Sequence, residues 1–153
     1  MGFFSNIFGK TVKIDHDFFG RMLFVGGKVP DPTDYFECRR HFKPADQIIE
    51  IVIDGSISGP TEKQILFFKS IEDHYSRVAE TIIPLIEEEF RNFREDFRVL
   101  NFQNEFVPVY LRIPRCDSQP IIWEIAFNSE HDRNHTFTVT MHDFQAKEIL
   151  IDG

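Results

Sequence analysis

Apolar positions recur with two periods along this chain, and the change between them divides it into three parts. In the first part the apolar runs are short and separated by turn formers. Residues 12–15 and 21–25 predict two strands, with Phe18-Phe19-Gly20 as the turn between them. Gly26-Gly27 and Pro30-Asp31-Pro32 make a loop rich in breakers. Strands are then predicted over 35–41 and 47–54, on either side of Lys43-Pro44-Ala45-Asp46. In the second of these, Ile48, Ile49, Ile51, Val52 and Ile53 form a nearly continuous β-branched run, the pattern of a central strand covered on both faces.

The period then lengthens. Ile65, Phe68, Ile71, Tyr75, Val78 and Ile82 are three or four residues apart, the spacing of one helix face, and leave Lys63, Lys69, Asp73 and Arg77 for water. Pro84 lacks a backbone donor, so the helix is expected to kink or restart there. Ile86, Phe90, Phe93 and Phe97 continue the stripe, with Glu87, Glu88 and Glu89 directed mainly outward. The last third returns to strands, over 106–113, 121–127, 136–141 and 148–151. Thr136, Thr138 and Thr140 alternate with Phe137, Val139 and Met141, as in a half-buried strand. Strands, then helices, then strands imply an α+β domain. The expected fold is a mostly antiparallel sheet of about seven or eight strands, with a central helical segment, one kinked helix or two helices, packed on it.

Composition sharpens this picture in three ways. The length of 153 residues suits a single domain, 1–153, and eighteen Phe supply a core without metal or disulfide staples. The two cysteines, Cys38 and Cys116, are too few for a secreted disulfide scaffold; both are expected to be reduced, which points to a cytoplasmic protein. The net charge of −8, from 25 acidic against 17 basic residues, argues against nucleic acid and suits steering toward a basic protein partner. No apolar run approaches the roughly 20 residues that span a bilayer, so no transmembrane segment is expected. Residues 1–10 read as a separate, mobile amphipathic segment. Phe3, Phe4, Ile7 and Phe8 share one side of a short helix, better suited to the protein's own core or a partner than to a membrane.

Candidate chemistry is sparse. In Gly55-Ser56-Ile57-Ser58-Gly59-Pro60 the glycines are too close for a phosphate loop, and Pro60 stands where the lysine belongs. As helix punctuation the stretch reads well: Gly59 or Ser58 caps, Pro60 takes the first helical position and Glu62 sits at the positive helix end. Cys38 and His41 fall on opposite sides of a strand, and only Arg115 offers Cys116 a positive neighbour. Trp123 reads as core. These residues call for no catalytic group, cofactor or metal. The exception is the segment 131–143, where His131, His135, His142, Asp132 and Asp143 suggest an enzyme or a ligand- or metal-binding site, with His131 and His135 flanking a hairpin loop.

Phe19-Gly20, Ile51-Val52-Ile53-Asp54-Gly55 leading to Gly59-Pro60-Thr61 and Gln64, then Asp143-Phe144 and Ile149-Leu150-Ile151-Asp152-Gly153, resemble a group of small bacterial domains of uncharacterised function. Some members resemble immunity proteins of polymorphic toxins. The resemblance implies an α+β fold and a non-enzymatic protein-binding role, such as inhibition of a toxin. Glu87, Glu88 and Glu89 are then the candidate contacts to a basic partner.

Overall fold

The structure, a computed structural model, describes residues 11–152. The expected docking of the Phe-rich segment at residues 1–10 lies outside the described residues. Four strands come first: β1 (Thr11–His16), β2 (Gly20–Val25), β3 (Tyr35–Phe42) and β4 (Gln47–Asp54). Helices α1 (Glu62–Asp73), α2 (Tyr75–Arg91) and the short α3 (Phe102–Glu105) follow. The chain closes with β5 (Phe106–Ile113), β6 (Ile122–Ser129), β7 (Asp132–His142) and β8 (Gln145–Asp152). All eight strands join one sheet in chain order. Each neighbouring pair is antiparallel except β4 and β5, which run parallel. Two antiparallel meanders therefore meet at one parallel seam. A parallel pair needs a long crossover, and the helical segment supplies it. The α+β expectation holds.

Side-chain alternation decides which face the helices cover. Met22, Phe24, Phe36, Cys38, Phe42, Ile49, Ile51 and Ile53 point to one side and are buried. From the second meander Leu111, Ile113, Trp123, Ile125, Phe127, Phe137, Val139 and Met141 join them. Phe68, Ile71, Val78, Ile82, Ile86 and Phe90 of the helices complete the same core. Aromatic contacts tie the layers together. Phe67 meets Trp123 edge-on at 5.8 Å, and Phe90 stacks on Phe97 at 4.4 Å and on Phe137 at 5.3 Å. Phe42 meets Tyr75 edge-on at 5.2 Å. Such pairs add about 0.5–1.5 kcal/mol each beyond area burial. A bulge between Pro108 and Tyr110 switches the parity of β5. Phe106 and Pro108 face the core before it, Leu111 and Ile113 after it, and Tyr110 is turned to the opposite face. Proline suits such an irregular position.

Four expectations change. The apolar run of β4 is not covered on both faces by described elements: Ile49, Ile51 and Ile53 meet the helices, while Ile48 is 61% exposed on the other side. Of the two outcomes expected at Pro84, a restart is not found, because α2 continues through it to Arg91. Pro84 lies on an exposed turn of the helix, where the carbonyl that loses its donor, that of exposed Glu80, is open to water. The division between helices falls instead at His74, whose Nδ1 and backbone N–H both donate to the Ser70 carbonyl, each at 2.9 Å. Its ring stacks on Phe144. Phe93, expected on the apolar stripe, lies beyond the helix and is 62% exposed.

The fourth change is at the start of α1. Pro60 is not its first residue; Thr61 is the N-cap, with a reciprocal capping box to Gln64. Gln64 is 1% exposed and does more than cap. Its Nε2 donates to the Asp54 carbonyl at 2.6 Å and to the Pro114 carbonyl at 2.9 Å, pinning the helix start to the ends of β4 and β5. Gly59 has φ +104, which suits glycine, and so joins strand to helix without strain.

Candidate functional site

The acidic triplet on α2 does not form one surface. Glu87 Oε2 accepts from the Val99 N–H at 3.0 Å, and its Oε1 lies 3.6 Å from Arg91. That carboxylate holds the chain leaving the helix. Glu88 is exposed and Glu89 half-buried. Successive helical positions diverge by about 100°, so the three charges fan out rather than converge.

The segment 131–143 is likewise drawn apart. β7 begins at Asp132, with a register shift that leaves residues 133–135 out of the ladder, and its regular run from Thr136 to His142 alone spans on the order of 20 Å at about 3.3 Å per residue, so His131 and His142 stand at opposite ends. His131 Nε2 bonds Glu105 Oε1 at 2.7 Å, with Phe97 and Phe106 around its ring. Glu105 Oε2 accepts from the Leu100 N–H at 2.9 Å and from the Asn101 N–H. Burial pushes the Glu105 pKa up, but the hydrogen bonds from Asn101, His131 and Leu100 outweigh it and hold the carboxyl below its usual value. His135 Nδ1 bonds Asp132 Oδ2 at 2.6 Å. Asp143 shapes the β7–β8 turn: Oδ1 accepts from Ile121 N–H at 3.0 Å, and its carbonyl accepts from the indole of buried Trp123 at 2.6 Å. Among the described residues no group of three or more His, Cys, Asp or Glu is placed to hold a metal ion.

Both thiols are free. Burial pushes Cys38 up to about 12 and, helped by Asp117, Cys116 up to about 11, so each stays protonated near neutrality. In the glycine loop, the Gly55 N–H donates to the Asp34 carbonyl and the Gly59 N–H to that of Ser56. Those donors hold the turn.

A different region brings chemistry together: the sheet face opposite the helices. Strand register places Leu23, Glu37, Val52, Arg112, Glu124, Thr140 and Glu148 in one row across it. The next row runs from Arg39 through Glu50, Tyr110, Ala126 and Thr138 to Leu150. Arg112 donates through Nε and Nη2 to Asp54 Oδ1 at 3.2 and 3.0 Å, clasping the parallel seam. Arg39 Nη2 meets Glu50 Oε1 at 3.4 Å. Burial raises the Tyr110 phenol to about 12.

Glu37 stands apart within this face. It is 7% exposed, and no hydrogen bond or ion pair engages its carboxylate among the described residues. Burial, and then the nearby Glu50 carboxylate, raise its pKa above the usual value. It lines a cleft of about 500 Å³ with Lys13, Phe19, Arg21, Met22, Leu23 and Arg39. The cleft follows from ladder lengths. β2 and β3 pair only as far as Met22 with Cys38. Beyond that point β2 stays with β1 down to Gly20, while β3 stays with β4 up to Phe42, so the strands part. On the core side, the Arg40 guanidinium plugs the gap: it donates to the Phe18 carbonyl and lies 3.9 Å from that ring, with Nε unpartnered. Sequence reasoning missed Glu37. Its alternation with Phe36 and Cys38 signals the outward face, but nothing local signals where a ladder stops.

Among the described residues no helix is long and apolar enough to cross a membrane. Compared with protein-family models, curated proteins and solved structures, the chain matches none.

Proposed function

We propose that this chain is a protein-binding domain that docks a basic partner on the sheet face opposite its helices, a role of the inhibitor kind that the resemblance to immunity proteins implies. The observation that carries the reading is the make-up of that face. Glu37, Glu50, Asp54, Glu124 and Glu148 lie in neighbouring rows, and Ile48, Ile122 and Leu150 stand 61%, 50% and 60% exposed among them. Arg39 and Arg112 interleave with the carboxylates, each bonded to one of them. Apolar anchors within an acidic field suit a basic protein surface, because the field speeds encounter and the anchors supply residence.

The test is co-purification of the tagged chain from its native host, followed by elution with rising salt. A basic partner should be retained at low ionic strength and released as salt screens the carboxylates. Joint substitution Glu124→Lys and Glu148→Lys should abolish retention, and Glu88→Lys on α2 should leave it intact. Full retention by the double variant would overturn the assignment of the face. Loss with Glu88→Lys alone would move the contact to the helix.

A further inference from the structure

We propose that the cleft between β2 and β3 binds a single cationic head group, an alkylguanidinium or alkylammonium, with Glu37 as its counter-ion and Phe19, Met22 and Leu23 as a floor for the alkyl stem. This goes beyond docking on the sheet face opposite the helices, because it assigns a ligand chemistry to one cavity. A carboxylate withdrawn from water is destabilising unless a cation or a set of donors compensates. Glu37 is 7% exposed, and among the described residues no cation or donor engages its carboxylate. The neighbouring cations are directed elsewhere: Arg21 Nε meets Asp15 Oδ1 at 3.4 Å, and Arg39 meets Glu50 at the same distance.

Lys13, Arg21 and Arg39 at the rim would by charge alone favour an anion. Their side chains face solvent, where water and salt screen them, whereas Glu37, 7% exposed, is screened less. The inner charge therefore decides the sign of the ligand. The volume of about 500 Å³ falls within the roughly 300–1,000 Å³ usual for small-molecule sites. An apolar floor beneath one carboxylate matches a long stem that ends in a cation, as in a partner's Arg or Lys side chain or a free alkylamine.

The experiment is titration of the full chain with n-butylguanidinium, n-butylammonium and n-butyrate, followed by NMR at the backbone amides. Both cations should bind in the millimolar range and shift the amides of Leu23 and Glu37. Glu37→Gln, which keeps shape and removes charge, should weaken binding about tenfold or more while leaving thermal stability equal or higher. Leu23→Trp, which fills the cleft, should produce the same loss. Glu88→Gln, exposed on α2 and outside the cleft, should change affinity less than about twofold. A blocked peptide with one central arginine distinguishes the sources: binding about tenfold tighter than butylguanidinium assigns the site to a partner's side chain, and equal binding assigns it to a free small cation. Unchanged binding by Glu37→Gln, butyrate binding as tight as the cations, or no shift at all in the wild-type chain would each overturn the proposal. The titration contains no partner protein, so its failure leaves the protein-binding reading standing.

Discussion

Gln64 and Glu105 show how single polar side chains hold this fold where apolar packing cannot. Gln64 closes the α1 cap and satisfies two carbonyls at the strand ends, so its removal leaves three backbone groups without that partner. At about 1–3 kcal/mol for each unsatisfied buried group, Gln64→Ala should cost on the order of 3 kcal/mol in urea unfolding. Gln64→Glu should cost more near neutrality, since a carboxylate cannot donate to Asp54 and Pro114, and the deficit should narrow on acidification. Glu105 has a lowered folded pKa, so its stabilisation is fully present above the unfolded value of 4.5 and is lost as pH falls through the folded value. Glu105→Gln should therefore flatten the acid limb of the stability–pH curve below about pH 5, measured by chemical unfolding at each pH. The need for a polar group at position 64 was legible as helix punctuation. The partners at Asp54, Pro114 and His131 were not, because they lie 10, 50 and 26 residues away in the chain.

At the scale of elements, periodicity located the strands and helices, and the junctions were harder to read. The alternation of β7 and the β-branched run of β4 come directly from local side-chain preferences. Pro84 misleads because proline forbids one hydrogen bond, and the helix can lose one where the freed carbonyl meets water. Pro84→Ala should accordingly raise stability by about 1–3 kcal/mol, visible as a higher Tm, with the fold unchanged. At the strand–helix junction, Gly59→Ala places a Cβ where nothing lies within 4 Å but φ is +104. The cost, about 1–2 kcal/mol, is one of backbone strain rather than collision and should appear in stability and not in binding of a cation or partner. Loss of binding at unchanged stability would return that loop to the list of functional sites.

For the whole molecule, the two meanders share one core and are locked by aromatic pairs that bridge layers. Phe90 is the hub of the second half, in contact with Phe97, Phe106 and Phe137. Phe90→Ala should destabilise by about 3–5 kcal/mol, and a two-state denaturation curve should move as one transition, because the core is continuous across the parallel seam. Two transitions would show that the meanders unfold separately. The charge of −8 is a whole-chain quantity that does not describe placement: on the sheet face opposite the helices, Arg39 and Arg112 bond to Glu50 and Asp54.

By itself the sequence determined what depends on neighbours along the chain: strand and helix segments, the α+β class, the turn at Phe18-Phe19-Gly20 and the structural use of the loop from Asp54 to Gln64. Period and turn chemistry are local, so they survive without knowledge of the fold. The tertiary structure alone decided the parallel seam, the face of the sheet that the helices cover, the separation of His131 from His142, and the stop in the β2–β3 ladder. Each depends on register between segments distant in the chain. Helical geometry spreads Glu87, Glu88 and Glu89 over no common surface, and that register places Glu37, 7% exposed and unpaired among the described residues, where the β2–β3 ladder stops.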